Sequence, residues 1–375
     1  MKTGLYSVTD KALFDALIQS KVTHDDMKDL FFKRAVIISK ETSRKSLASD
    51  FSCYFHGFYD YEKLSNILGS VGRREKSTTN IITGSLEKKE VEHALKDTLS
   101  ILQKEGDIPK YTHVANGGIE VTIQYIKLDY KLSEFRQSAT REAKILIEPS
   151  EDGNYQLRYP PNTKTQEFVK IFTETLQKEN AEKEISIDQI TLESIKDPKQ
   201  RTLFFEKLIE SIENYEVYDV SDVYVSHPLI KKLPASTKDE SDEENDEEDD
   251  LIVDTGHHIT KASLKGRGVL DSPELNSFLS EGFYISRIIW TAKVKGFIDS
   301  DKVEFEALFA DSDNCKLFSY LIRGYYKYKS LEDFSKSRTL FDKEKENLLS
   351  SLMEKAARNI ANEIVDKNTV KPHQH

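Results

Sequence analysis

The chain has 375 residues, 38% of them hydrophobic and 10% aromatic, with 54 basic and 65 acidic residues. That length exceeds what one hydrophobic core ordinarily organises, and that composition excludes a chain too polar to fold. No stretch approaches the roughly 20 apolar residues that span a bilayer, no signal-peptide core follows Met1-Lys2, and Cys53 and Cys315 form no CxxC pair. The expectation is a soluble, cytoplasmic protein with reduced thiols and no membrane partner.

The formal charge of −11 is unevenly spread. Lys238–Asp250 reads KDESDEENDEEDD, ten carboxylates and one lysine, a net of −9. Taking −9 from −11 leaves −2, so the remainder of the chain is nearly neutral. A block of like charge without aromatics cannot bury enough apolar surface to offset its ordering entropy, which predicts a disordered acidic loop.

In chain order, the first part reads as helical. Leu13, Ala16 and Leu17 line one side of a helix capped by Ser7 or Thr9. Thr23 with Asp26 matches a cap-plus-acid start, followed by Met27, Leu30 and Phe31. Thr42 or Ser43 caps a further helix bearing Leu47, Ala48 and Phe51. The joint Ile37–Glu41 allows a helix-turn-helix or a related DNA module, and Lys33, Arg34, Arg44, Lys45, Arg73 and Arg74 are the candidate phosphate contacts. Asp25, Asp26, Asp29, Glu41 and Asp50 interrupt that basic surface. Phe51–Tyr61 is dense in aromatics but lacks the local cations of a base-stacking platform, so it reads as core or as a domain contact.

Ser85–Glu105 carries Val91, Ala94, Leu95, Leu99 and Leu102 on one face and ends at Gly106. From Ile119 the period changes to that of a strand. Ile119, Val121 and Ile123 alternate with polar residues, then the apolar phase moves to Ile126 and Leu128, which predicts a bulge, a bend or burial on both faces. Strands at Ala143–Glu148 and Tyr155–Tyr159 flank an Asp-Gly turn. Helices follow over Phe168–Leu176 and after Asp197-Pro198, then a strand over Val217–Ser226. Beyond the acidic run come a short helix from Ser272-Pro273, strands at Phe283–Val294, Val303–Ala310 and Leu317–Tyr328, and an amphipathic helix over Asp342–Val365.

The fold class is therefore α+β: a helical N-terminal region, then an α+β body with an antiparallel or mixed sheet and packed helices, interrupted by the acidic loop. The expected divisions are 1–112, helical; 113–235, α+β; 236–252, the acidic loop; and 253–375, α+β and compatible with the same body as 113–235.

Most signatures of chemistry are missing. The sequence holds no phosphate-cradling GxxxxGK[ST], dinucleotide GxGxxG or GxSxG elbow, and His257-His258 lack metal-ligand spacing, so no metal is assigned. One pattern fits a PD-(D/E)xK-type nuclease site: Asp129 on one strand and Glu142-Ala143-Lys144 on the next, where carboxylates would hold Mg²⁺ and the lysine would activate water. No proline precedes Asp129. Gly266-Arg267-Gly268 reads as a short turn, and Arg323-Gly324-Tyr325-Tyr326 as either an anion or nucleotide site or a strand bend. The leading functional expectation is a non-catalytic interaction or regulatory protein with a protein partner, a component of a multi-protein system, needing no cofactor. The alternatives are a nucleic-acid-binding protein using the N-terminal helices and a Mg²⁺-dependent nuclease.

Overall fold

The computed structural model describes residues 9–69, 74–114, 117–131, 135, 138–150, 153–227, 259–330 and 333–369. The acidic run, Arg73 and His257-His258 lie outside them. The class is α+β, with antiparallel ladders. In chain order the first elements are α1 (Asp10–Ile18), α2 (His24–Phe32), α3 (Arg44–Ser52), α4 (Phe58–Gly69), β1 (Thr78–Thr83), α5 (Lys88–Glu105) and β2 (Ile108–His113). Next come β3 (Ile119–Leu128), β4 (Ser138–Pro149), β5 (Tyr155–Tyr159), α6 (Thr163–Glu179), β6 (Ser186–Gln189), α7 (Pro198–Glu210), β7 (Tyr215–Ser226) and β8 (Lys261–Lys265). The last are α8 (Pro273–Ser280), β9 (Tyr284–Val294), β10 (Lys302–Asp311), β11 (Lys316–Tyr326), β12 (Tyr328–Ser330), β13 (Asp333–Phe334) and α9 (Lys343–Thr369).

The chain divides into two compact units, each assembled from separate stretches. Met1–Glu75, Gly84–Gly153 and Asn162–Ile185 form the first; Lys76–Thr83, Asn154–Pro161 and Ser186–His375 form the second.

In the first unit, α1–α4 close around Leu13, Leu17, Met27, Leu30, Phe31, Leu47, Phe51 and Leu64, with Phe135 joining from the β3–β4 connection. The helices start where the sequence places caps: Thr9 accepts from Ala12 N, Thr23 and Asp26 form a reciprocal capping box, and Ser43 accepts from Ser46 N. The unit also holds the β2–β3–β4 ladder and α5, whose buried stripe runs from Val91 to Leu102 and whose end is Gly106 in the left-handed region. The β3–β4 ladder runs from Ile119↔Ile147 to Leu128↔Ser138 without a register shift. The apolar change of phase is thus neither a bulge nor burial on both faces: Ile126 and Leu128 simply remain exposed.

In the second unit, a five-stranded sheet has the order β11-β10-β9-β7-β8. One face carries Trp290, Phe305, Phe309 and Phe318, on which Phe204 and Phe205 of α7 and Leu349 and Met353 of α9 close a single core. A buried polar cluster lies beside that core. Arg158 on β5 donates to both oxygens of Glu354 on α9, at 2.7 and 2.6 Å, and Gln156 and the Tyr320 hydroxyl donate to the same carboxylate. Four donors satisfy one buried anion, which is the condition under which such burial is tolerated. Burial and the Glu354 charge push the Tyr320 phenol far up, keeping it a donor.

The segment containing the acidic run leaves β7 at Ser226 and returns at Lys261, its direct ladder partner, so it connects neighbouring strands of one sheet. The thiols of Cys53 and Cys315 are both free, and burial pushes that of Cys315 up to about 11. No described helix is long and apolar enough to cross a membrane.

Candidate functional site

The longest joint of the N-terminal helical module is the connection between α2 and α3. That connection runs from Lys33 to Ser43, far longer than the turn of about three to four residues in a helix-turn-helix. It begins with a tight reversal, in which Val36 N donates to Phe31 O across Ala35 at φ 58°. At its far end Arg44 donates to the carbonyls of Gln19 and Val22, at 2.8 and 2.6 Å, fixing α3 against the C-terminal end of α1.

Arg34 holds this connection to the α3–α4 junction. Its guanidinium donates to Asp60 Oδ2 at 2.7 Å and lies 3.1 Å from His56 Nδ1. It also stacks 4.9 Å from the Phe51 ring and 5.5 Å from the Tyr54 ring. His56 Nε2 lies 2.8 Å from the Phe51 carbonyl. Burial lowers the His56 pKa against the opposing effect of that backbone bond, and the Arg34 charge lowers it further. The neutral tautomer then donates through Nε2 and accepts from Arg34 through Nδ1. The aromatic segment that lacks cations in sequence receives one from another part of the chain.

In the segments that carry Arg34, His56 and Asp60 the module exposes apolar side chains. Phe32 and Ile37 flank Arg34 and are 69% and 88% exposed, while Phe55 and Tyr59 flank His56 and Asp60 and are 100% and 83% exposed. Of the predicted phosphate contacts, Arg34 and Arg44 are taken up in these structural bonds, Arg74 is half-buried, and Lys33 and Lys45 are exposed.

The proposed nuclease triple is only partly brought together. Glu142 and Lys144 share one face of β4 and pair with each other at 3.3 Å, half-exposed. Their ladder partners are Gln124 and Thr122, whereas Asp129 follows Leu128 at the far end of β3. Five residues of strand separate Asp129 from Gln124, roughly 17 Å, far beyond the ~4 Å span of ligands sharing one Mg²⁺. Asp129 instead accepts from Lys131 N at 3.0 Å.

A different group, which the sequence reading did not single out, does converge: exposed His93 and Asp97 on α5 and Glu179 at the end of α6 place ligand atoms within 4.8 Å of one another. Its sequence signal is slight, an i, i+4 His/Asp pair whose third member is far away in the chain. In the second unit, the buried carboxylates Glu304 and Glu306 on β10 draw in Arg287, Arg323, Arg338 and Lys76. Compared with models of known protein families and with curated proteins, the chain matches none of them.

Proposed function

We propose that the protein acts by binding another protein, without catalysis, through exposed apolar side chains of its N-terminal helical module, as a regulator or component of a larger assembly. The observation that supports this is the exposure of Phe32, Ile37, Phe55 and Tyr59 in the two segments that the Arg34–Asp60 bond joins. Burying a large apolar side chain contributes about 1.5–3 kcal/mol, so four of them supply a binding core. An aliphatic side chain such as Ile37 gains little by facing a base and much by entering an apolar pocket, which favours a protein as the occupant. The test is co-purification of the tagged full-length chain from nuclease-treated extract, beside an Ile37→Ser/Phe55→Ser variant. The expected result is a stoichiometric partner held by the wild type and lost by the variant, with the melting temperature unchanged. A wild-type chain that stays free, or a variant that keeps the partner, overturns the reading.

A second reading, nucleic-acid binding by the same module, draws support from the exposed ammonium groups of Lys33 and Lys45. Binding that weakens steeply with salt is its mark, and Lys33→Glu/Lys45→Glu would flatten the log K against log salt slope by about 2. Deleting Lys238–Asp250 would strengthen such binding if the acidic run competes with phosphate.

A further inference from the structure

Lys293 on β9 and Lys302 on β10 stand side by side on the sheet face opposite the core, one step along the ladder from Ala292↔Val303. Both ammonium groups lie over the same two rings. Lys293 Nζ is 4.8 Å from the Tyr218 centroid and 5.0 Å from that of Phe334. Lys302 Nζ is 4.8 Å from Tyr218, 4.7 Å from Phe334 and 5.3 Å from Tyr326. Lys293 is only 8% exposed, and Lys302 is half-buried.

Among the described residues, neither lysine is ion-paired with a carboxylate. The nearby acids have other partners: Glu304 has Arg323, Arg338 and, at 3.1 Å, the Tyr326 hydroxyl, Asp219 has Gly268 N at 3.0 Å, Asp222 the Ser221 hydroxyl, and Asp301 Tyr328 N. Glu216, opposite Lys293 in the β7–β9 ladder, is exposed. Aromatic faces offset part of the cost of withdrawing an ammonium group from water, but they do nothing for the repulsion between two such groups. The two motifs left open by the sequence meet here. Tyr326 of Arg323-Gly324-Tyr325-Tyr326 borders Lys302, and the charge of Arg267 in Gly266-Arg267-Gly268 acts on it. Burial lowers the Lys302 pKa; Asp219 and Glu304 oppose this, while Arg267 and Lys293 add to it.

We infer that Lys293 and Lys302 form a binding site for a phosphate group, framed by Tyr218, Tyr326 and Phe334. Two adjacent ammonium groups match a doubly charged, non-planar anion, whereas the buried carboxylates Glu304 and Glu306 already have the planar guanidiniums. The phosphate is either free or carried by a nucleotide.

The test titrates the full-length chain at physiological salt with inorganic phosphate, pyrophosphate and a nucleoside triphosphate, reading heat and the ¹³C signal of the lysine Nζ-methyl groups after reductive methylation. Saturable binding is expected. It should raise the pKa of the Lys302 amine and weaken at least tenfold in Lys302→Met, with Lys302→Arg retaining most of it. Tighter binding of the nucleotide than of pyrophosphate identifies a nucleotide site; equal binding identifies the phosphate group alone. A wild-type chain that binds none of the three at millimolar concentration, or binds them with the Lys302 titration unmoved, overturns the inference. Because that reading is made on the wild type, it stands even if a variant fails to fold.

Discussion

The N-terminal helical module and the polar face of the five-stranded sheet both mix aromatic rings with cations, and they resolve the mixture in opposite ways. In the module the cation is neutralised: Arg34 holds Asp60, and the apolar side chains around the pair are left in water. On the sheet face the rings are partly covered by the cations, and among the described residues Lys293 and Lys302 are not ion-paired with a carboxylate. The first arrangement suits a partner that offers apolar surface, the second a partner that offers charge. Side-chain type alone does not separate the two; what separates them is whether the carboxylates go to the same cations that touch the rings.

The largest effect should come from removing the carboxylate that organises the sheet face. Glu306 is buried and meets Arg287, Arg323 and Lys76. Glu306→Ala leaves three cations without it and should cost about 2–3 kcal/mol in chemical denaturation, less than the roughly 3–5 kcal/mol for breaking a fully buried pair because its partners are about a quarter exposed. A loss under ~0.5 kcal/mol would mean that the face does not depend on its carboxylates, and the contrast with the module would lose its basis.

Gly324 tests the same face through the backbone. It sits at φ 130°, and a Cβ there would lie 2.4 Å from the Thr339 carbonyl oxygen. Gly324→Ala must therefore break the Tyr325–Thr339 pairing, in which each N–H donates to the other's carbonyl at 2.8 Å. A cost of about 1–3 kcal/mol is expected from strain and lost bonds together, with amide exchange accelerating at Thr339. Protection at Thr339 equal to that of the wild type would refute the assignment of this glycine to close approach.

In the module, Asp60→Asn removes the charge but keeps the shape. Arg34 and Asp60 are each about a quarter exposed, so solvent already screens them, and about 1 kcal/mol is expected. The apolar set should stay exposed, so partner binding should survive this change while failing in Ile37→Ser/Phe55→Ser. If Asp60→Asn also abolishes the partner, the clamp shapes the surface and does more than support it.

How much of this was legible depended on whether the signal was local. Helices α5 and α9 announce themselves by apolar stripes, and Thr23, Asp197-Pro198 and Ser272-Pro273 mark helix starts. Strand β1 escaped because Thr78, Thr79 and Asn80 are polar yet buried. Their satisfaction comes from Phe318 O, Gln156 and the Tyr159 hydroxyl, remote in sequence. β2 escaped because Pro109 reads as a breaker, although on a strand paired with β3 alone a missing N–H is tolerated. The interleaving of the two units leaves no trace in composition. Of the sites, Phe55 and Ile37 were visible as residues but not as exposed ones. Lys293 and Lys302 needed the β9–β10 register, although the alternation of Arg287, Thr291 and Lys293 through an apolar strand was a usable hint.

The smallest effect concerns two histidines of the first unit whose titrations should move apart. Burial lowers the His56 pKa, whereas the hydrogen bond and charge of Glu179 raise that of exposed His93. For His56 the folded value lies below the unfolded one, near 6.5. Its contribution is intact at high pH and is lost as pH falls from about 6.5 toward the folded value, because the unfolded state takes the proton first. For His93 the order is reversed: the contribution is complete below about 6.5 and disappears as pH rises through the folded value. In ¹H–¹⁵N spectra of the imidazoles, His56 should titrate below His93. Glu179→Gln should bring His93 back toward 6.5 while leaving His56 unmoved, because His56 is set by the Arg34 clamp and its own burial. If the two titrate together, the Arg34 clamp does not enclose His56 as its bonds imply.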